Sequence, residues 1–310
     1  MTWFDASGGI VLARNPAGTT TVSEYSIPSD RTSQVHLGID GKGRPVVGAG
    51  EEVVEVDPSS LAYRTMLLPT PSQTPSSNDL PGVPSAAGQI LGVRVQGDSA
   101  FLLRYEMNSI TEVSLESGQI NDVEIPSSFG TRDDFVVTPD QFWLLKTGNG
   151  ADGTSQIGSL DRSTGNLTVS HTKVHSAGVY KDGVIALTWN PDGVAFIDSG
   201  GVQPIHSSTL DAALVNKIGP ESTVHDDGRS GVWLSDVSAK EIVWLDPSTA
   251  AADVYALPVW QTSGTIECPP GGNCGPATVL TDITATAVSP EGDLYFADAT
   301  MNRVGEIHRP

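Results

Sequence analysis

Three aspartates at matching places are the first residues of this sequence that could do chemistry. Asp5, Asp236 and Asp298 each follow a short apolar segment, and Asn302 lies four residues beyond the last of them. Such carboxylates either accept backbone N–H bonds from the turn that follows or contribute to a cation site. We expect the aspartates to cap these turns. The four residues are also the candidates for contacts with a ligand, and we predict them as binding residues. We assign no cofactor, with a divalent cation such as Mg²⁺ or Ca²⁺ as the alternative.

The remaining acid–base and metal-ligand candidates form no recognisable catalytic group. Asn149 to Gly153 has oxygen ligands at a calcium-loop spacing but lacks the later glutamate of such loops. No Gly-x-Ser-x-Gly motif is present. The histidines stand at unequal distances from the nearest Asp-Gly turns, so catalytic residues stay unassigned; they are His36, His171, His175, His206, His225 and His308.

The two cysteines predict a disulfide. Cys268 and Cys274 flank a Pro-Pro-Gly-Gly turn that can bring their thiols together. Closing so short a loop would stabilise the chain by roughly 2 kcal/mol. Two free thiols in a reducing compartment are the alternative, whereas a zinc site would need further ligands. The disulfide favours an oxidising, extracellular or cell-surface location.

Composition and charge exclude several function classes. Lys+Arg total 17 against Asp+Glu 37, and the net charge of −20 repels nucleic acids and anionic membrane surfaces. No apolar run approaches the roughly 20 residues of a membrane span, and Met1 to Thr20 does not have the pattern of a signal peptide. We expect no nucleic-acid binding and no membrane insertion. We also expect that the chain is part of a larger polypeptide and that its signal peptide has been removed.

A short strand-and-turn pattern recurs along the chain. Its clearest copy has an Asp227-Gly228 turn, then Val232 to Asp236, Glu241 to Pro247 and Val254 to Pro258 as strands. A second copy spans 35 to 69, and its Asp57-Pro58 pair matches Asp246-Pro247 in the first. Four strands in this order are typical of one propeller blade.

The copies predict an all-β propeller that occupies 1 to 310 as a single domain. Their mean spacing of about 47 residues is that of four-stranded antiparallel blades. The copy at residues 1–28 lacks an innermost strand and the copy at 283–310 lacks an outermost one. We therefore expect seven blades, with six as the alternative. A β-sandwich is the less economical fold. The predicted blades are 1–28, 35–69, 89–126, 134–172, 175–206, 222–258 and 283–310.

The repeats resemble a known group of propellers. Asp-Gly-Arg-Ser-Gly-Val-Trp-Leu-Ser-Asp at 227–236, Glu-Ile-Val-Trp-Leu-Asp-Pro at 241–247, and the stretch from Gly292 to Ile307 are similar to NHL-type and streptogramin (virginiamycin B) lyase-like repeats. The resemblance covers most of the chain and implies the propeller fold. Enzymes of that kind use histidines and a glutamate beside a divalent cation, but no residue here matches that set, and the fold alone implies no activity.

Loop lengths indicate where a ligand would bind. The longest insertions, Thr70 to Gly88, Thr147 to Ser155 and Val259 to Asp282, all fall on the face that carries the second-to-third turns. Trp260 lies in the last of them, and we predict that it is a binding residue, with a role as the hydrophobic anchor of that loop as the alternative. Trp3, Trp143 and Trp233 stand in equivalent second strands and are expected to pack in the core.

Two functions follow as hypotheses. The first is a non-catalytic, extracellular binding module that presents the long-loop face to a protein or glycan partner. The second is a metal-dependent enzyme of the streptogramin-lyase or gluconolactonase type that acts on a lactone over the central channel.

Overall fold

The computed structural model describes residues 2–4, 10–14, 23–27, 35–57, 60, 62–69, 88–105, 107–130, 132–147, 155–189, 192–214, 222–236, 241–256, 260–261, 278–279, 283–288, 292–298 and 303–308. Several sequence predictions lie outside these residues and stay predictions. They concern Asp5, Asn149 to Gly153, Cys268, Cys274 and Asn302.

The protein is all-β, as predicted: the described residues form 28 strands, one α-helix and one short 3₁₀ helix. It comprises two compact units, Met1–Val137 with Leu160–Leu167, and Thr138–Ser159 with Thr168–Pro310. The assignment of the chain to a single domain remains a prediction.

The first unit contains a three-stranded sheet and two four-stranded sheets, all antiparallel in chain order. Their strands are β1 (Thr2–Phe4), β2 (Ile10–Arg14) and β3 (Ser23–Ile27); β4 (Val35–Ile39), β5 (Pro45–Ala49), β6 (Glu52–Val56) and β7 (Tyr63–Leu67); and β8 (Ile90–Gln96), β9 (Ser99–Arg104), β10 (Ser109–Ser114) and β11 (Ile120–Glu124).

A further four-stranded sheet comprises β12 (Asp134–Val137), β13 (Gln141–Thr147), β14 (Ser155–Asp161) and β15 (Leu167–Ser170). The second unit holds two four-stranded sheets, a two-stranded ladder and a three-stranded sheet. Their strands are β16 (Val174–Tyr180), β17 (Gly183–Thr188), β18 (Gly193–Asp198) and β19 (Gly201–Ile205); β20 (Thr223–Asp226), β21 (Val232–Asp236), β22 (Glu241–Asp246) and β23 (Ala251–Ala256); β24 (Trp260–Gln261) and β25 (Thr278–Val279); and β26 (Ile283–Val288), β27 (Leu294–Asp298) and β28 (Arg303–Ile307).

Each of these sheets has two ends, which we name by their connections. At the loop end the first strand begins and the second strand connects to the third. At the turn end the first strand connects to the second, and the third connects to the fourth. In the β8–β11 sheet, Tyr105 therefore lies at the loop end, whereas Gly97 lies in the turn at the turn end.

Burial falls from the middle strands of a sheet to its fourth strand. The second strand β9 is buried on both faces from Ala100 to Arg104, whereas the fourth strand β7 is exposed except at Met66. Continuous apolar strands of this kind suit sheets that are covered on both faces. Trp143 and Trp233, predicted to pack in the core, are both buried.

First strands of neighbouring sheets approach closely within the second unit. A Cβ atom at Gly178 of β16 would lie 2.6 Å from the carbonyl oxygen of Val224 in β20. A glycine is therefore required where these two backbones meet, because any side chain would clash.

Aspartates fix the turns. Asp40 and Asp227 occupy the same place in the first-to-second turns of their sheets, and both are buried. In the third-to-fourth turns, Asp57 accepts a hydrogen bond from the Ser60 hydroxyl and Asp246 accepts one from the Thr249 hydroxyl, each three residues further on, so the two aspartates hold equivalent turns. Capping of this kind satisfies backbone donors that a tight turn leaves unpaired.

Two short helices lie between sheets. A 3₁₀ helix covers Ser127–Phe129, and α1 covers Ser208–Leu214. The hydroxyl of Ser207 accepts a hydrogen bond from the Leu210 N–H at 3.2 Å, and Leu210 and Leu214 are buried on the second unit's core. Within the described ranges, no helix has the length and apolar character that crossing a membrane requires.

Candidate functional site

Two of the predicted binding residues lie at the loop ends of their sheets. Asp236 is the last residue of β21 and pairs with Glu241, and Asp298 is the last residue of β27 and pairs with Arg303. Both therefore stand where a second strand turns into the third. Whether their carboxylates cap the turn or contact a ligand stays a prediction.

The insertion that carries Trp260 is closed at its base by a short ladder. Trp260 pairs with Val279, and Gln261 pairs with Thr278, as strands β24 and β25. The two ends of this insertion thus meet before the first strand of the next sheet begins. The predicted disulfide would lie inside the loop that this ladder closes.

Arg104 fixes the two ends of the other long insertion. Its side chain is 2% exposed, and its Nε and Nη2 donate to the carbonyl oxygens of Gly88 at 2.9 Å and Pro69 at 2.8 Å. These carbonyls flank the insertion predicted from Thr70 to Gly88. Burial lowers the pKa of Arg104 from its usual value, against the opposing charges of Asp122 and Glu51. The guanidinium nevertheless stays protonated, because its usual value is very high.

Backbone hydrogen bonds reinforce the same loop end. The Tyr105 N–H donates to the carbonyl of Gln89 at 2.7 Å, and the Gly88 N–H donates to the carbonyl of Tyr105 at 2.9 Å. Tyr105 itself is 43% exposed. The loop end of the β8–β11 sheet is therefore a rigid base that presents an exposed aromatic side chain.

Three polar residues meet on the first strands of the first unit. The Nη2 of Arg94 donates to Asp134 Oδ1 at 2.7 Å, and the Arg94 guanidinium lies 5.6 Å from the centroid of the Phe135 ring. The His36 imidazole interacts electrostatically with both the Arg94 guanidinium and the Asp134 carboxylate. Its Nε2 is buried and has no hydrogen-bond partner among the described residues.

Burial lowers the pKa of the His36 imidazole from its ordinary value of 6.5, and the nearby Arg94 guanidinium acts in the same direction. The Asp134 carboxylate and a hydrogen bond with the Ile90 backbone oppose this shift. His36 is therefore neutral at pH 7 and resists protonation as the pH falls.

This shift predicts a pH dependence of stability. Because the folded-state pKa of His36 lies below its unfolded value, the unfolded chain takes up a proton first as the pH falls below 6.5. We expect thermal unfolding to occur at a lower temperature at about pH 5 than at about pH 7, and the difference to shrink in His36→Asn. His171→Asn, which removes an exposed imidazole, is the control, and an equal shrinkage there would contradict the assignment.

In the second unit, the loop end of the β16–β19 sheet carries a cationic and aromatic group. Lys173 precedes β16 and Trp189 follows β17, and the Lys173 Nζ lies 4.5 Å from the centroid of the indole ring. The His175 ring lies 5.7 Å from the same indole. Such a group can contact aromatic or acidic side chains of a partner.

The loop end of the β20–β23 sheet carries a hydroxyl network. Thr223 Oγ1 lies 2.5 Å from Ser235 Oγ and 3.3 Å from Thr286 Oγ1. His225 Nε2 lies 2.5 Å from the same Thr286 hydroxyl. These contacts tie β20 and β21 to the neighbouring strand β26, so His225 serves packing between sheets.

The other histidines lie apart from these groups. His171 is exposed, and His206 pairs with Asp211 at 3.4 Å beside α1. His308 lies at the turn end of the β26–β28 sheet, with Asp293 and Glu306. Within the described ranges, that is the single group of three side chains with metal-ligand chemistry, and it lies away from the predicted binding residues of its own sheet.

Sequence reasoning missed Arg104 and the Arg94–Asp134 pair. A lone arginine at the end of a strand gives no signal, because its two carbonyl partners come from segments 16 and 35 residues away. Asp134, as the first residue of its strand, could have been placed at a loop end from the repeat alignment.

Comparison with known proteins identifies a fold and no family. No family model and no curated protein matches the chain. Among solved structures, Kuenenia stuttgartiensis hydrazine synthase matches with a TM-score of 0.60 and 12% identity, over 97% of this chain and 90% of that one. A chain of a nidogen/laminin complex matches with a TM-score of 0.52 and 12% identity, over 85% of this chain and 88% of that one.

A third similar structure is the extracellular domain of a hybrid two-component system from B. thetaiotaomicron. It matches with a TM-score of 0.50 and 13% identity, over 88% of this chain, and this chain spans 31% of its length. These structures have β-propeller-type folds. At such low identities the likeness shows the fold, and it confirms the predicted propeller architecture without indicating an activity.

Proposed function

We propose that this chain is a non-catalytic, extracellular β-propeller module that binds a protein partner through the loop ends of its sheets. The observation that carries the proposal is the construction of the β8–β11 loop end. There a buried arginine ties both ends of a long insertion and an exposed tyrosine stands beside it. Long loops held on a rigid scaffold are where propellers and other folds carry recognition.

Further features support a binding role. One structural neighbour is the extracellular domain of a two-component system, and another comes from a nidogen/laminin complex. The net charge of −20 disfavours nucleic acid and favours a partner with a basic surface. This chain matches 31% of the length of that longer extracellular domain, which fits a module that belongs to a larger, secreted polypeptide.

We further propose seven blades of the NHL and streptogramin-lyase type. The described strands form five four-stranded sheets, with three-stranded sheets near the start and the end of the chain. In this proposal the first blade lacks its innermost strand and the last blade lacks its outermost strand.

A glycan partner and a metal-dependent lyase or lactone hydrolase are the competing functions. The enzyme would need its ligand and acid–base groups at the loop ends. The group with metal-ligand chemistry among the described residues lies at a turn end instead.

Site-specific photo-crosslinking in the native host tests the proposal. A benzoylphenylalanine at position 105 would stand at a loop end in place of a tyrosine that is 43% exposed. The matched control is position 63, where a tyrosine that is 53% exposed begins β7 at a turn end. We expect a discrete crosslinked protein from position 105 and none from position 63.

Two results would contradict the proposal. Equal crosslinking from both positions would show that the loop end is not the binding surface. Loss of an activity on lactones upon chelation, with no crosslinked protein, would favour the enzyme.

A further inference from the structure

The turn end of the β26–β28 sheet brings together an imidazole and two carboxylates. Asp293 immediately precedes β27, and Glu306 and His308 come from the end of β28 and the residue after it. His308 Nδ1 lies 3.3 Å from Asp293 Oδ2 and 3.9 Å from Glu306 Oε1. One ligand atom from each of the three lies within 4.8 Å of the others.

The strand register produces this group. Leu294 pairs with Ile307, and Tyr295 pairs with Glu306. The next pair towards the turn end would be Asp293 with His308, which places these two side chains opposite each other across the hairpin. Side chains on a paired hairpin hold their relative positions better than side chains on separate loops.

We propose that Asp293, Glu306 and His308 form a binding site for a first-row divalent cation, with Zn²⁺ as the ion that suits it best. The site is independent of the loop-end binding surface, because it lies at the opposite end of its sheet. It therefore goes beyond the proposed binding function and does not rest on it.

The ligand types support a first-row divalent cation. Zn²⁺ accepts histidine nitrogen and carboxylate oxygen at about 2.0 to 2.2 Å, so tetrahedral ligand atoms lie about 3.4 Å apart. The two distances from His308 Nδ1, 3.3 and 3.9 Å, are close to this separation. The imidazole distinguishes the group from an all-carboxylate cluster, because nitrogen ligands favour Zn²⁺ over Mg²⁺ or Ca²⁺.

Charge and exposure fit the same conclusion. Asp293 and Glu306 supply two acidic side chains beside the imidazole, and one divalent cation can balance their combined charge. Glu306 and His308 are exposed, so the ion can enter and water can complete its coordination.

Tyr295 has a positioning role in this site. Its hydroxyl donates a hydrogen bond to Glu306 Oε1. Hydrogen bonds to ligating carboxylates orient them, and removing such a partner typically weakens metal binding about 10- to 100-fold. Tyr295→Phe should therefore bind Zn²⁺ at least about tenfold more weakly while retaining one site per chain.

Calorimetric titration of the full chain with Zn²⁺ tests the site. Iodoacetamide treatment in every arm blocks any free thiol of Cys268 and Cys274. We expect one saturable Zn²⁺ per chain in the wild type, and at least about tenfold weaker binding in Asp293→Asn and His308→Ala. Glu306→Gln provides a third variant that preserves shape, and circular dichroism confirms that each variant is folded.

The matched control is His206→Ala. His206 Nδ1 lies 3.4 Å from Asp211 Oδ1, so this pair has an exposed imidazole beside one carboxylate. The His206→Ala variant should bind Zn²⁺ with the affinity of the wild type. NMR of the imidazole nitrogens should show a Zn²⁺-induced shift at Nδ1 of His308, the atom that faces both carboxylates.

Three results would overturn the site. They are no saturable binding in the wild type, wild-type affinity in both Asp293→Asn and His308→Ala, or a weakening in His206→Ala as large as that in His308→Ala. Each would leave His308 and Asp293 as a hydrogen-bonded pair of side chains that holds no metal. Failure here would not affect the crosslinking result, which concerns a different end of the sheets.

Discussion

Asp227→Ala should lower the free energy of unfolding by about 3 to 5 kcal/mol, one of the largest effects of any single substitution in this chain. The side chain is fully buried, and its Oδ1 accepts hydrogen bonds from the backbone N–H groups of Arg229, Ser230 and Gly231 at 2.8, 3.0 and 3.0 Å. Its Oδ2 accepts the indole N–H of Trp244 at 3.1 Å. Alanine would leave several of these donors without a partner. Urea denaturation at pH 7 measures the loss.

Asp246→Ala is the matched control for this substitution, in the same sheet. Asp246 also accepts hydrogen bonds in a turn, from the N–H and hydroxyl of Ser248, but these bonds are exposed. Water can replace an exposed acceptor, so we expect a loss of about 1 kcal/mol or less. Equal effects of the two substitutions would show that the buried network around Asp227 is not what holds the turn.

Arg104→Ala should destabilise the protein by about 3 kcal/mol or more and detach both ends of the long insertion from the β8–β11 sheet. The substitution leaves the carbonyls of Pro69 and Gly88 without their charged donor and creates a cavity where the guanidinium was. Urea denaturation measures the first effect. Hydrogen exchange of the Gly88 and Tyr105 amides, which should become faster, measures the second.

Arg162→Ala is the control for loss of an arginine. Its guanidinium lies 4.6 Å from the centroid of the Phe101 ring and donates to Gln96 Oε1 at 3.1 Å, and its side chain is 23% exposed, against 2% for Arg104. We expect a loss of about 1 kcal/mol and unchanged exchange at Gly88. Arg104→Lys should fall between wild type and alanine, because an ammonium cannot span the two carbonyls as a guanidinium does.

The strands and turns could be predicted from the sequence because each blade repeats the same local signals. Asp227-Gly228 and the β-branched or aromatic residues of Val232 to Asp236 predict a turn and a strand without any distant contact. Helix α1 was not predicted, although Leu210, Ala213 and Leu214 have helical spacing and Ser207 stands at its cap. Its seven residues are too few for periodicity to stand out.

The candidate sites were harder to predict, because their members meet only through the register of strands and the stacking of sheets. Arg104 contacts carbonyls from separate segments, and Asp293 meets His308 only when the β27–β28 hairpin adopts its register. The aspartates that sequence reasoning did single out, Asp236 and Asp298, were placed correctly at the ends of second strands. Their chemistry stays a prediction.

Hydrogen–deuterium exchange of the protein with its crosslink-identified partner tests the central claim most directly. The claim is that the partner binds at the loop ends. We expect protection on complex formation in residues 88–90 and 104–108, which surround Arg104 and Tyr105, and none in residues 40–44 and 114–118, which form turns at turn ends. Protection confined to the turn-end residues, or none in 88–90 and 104–108, would contradict the account.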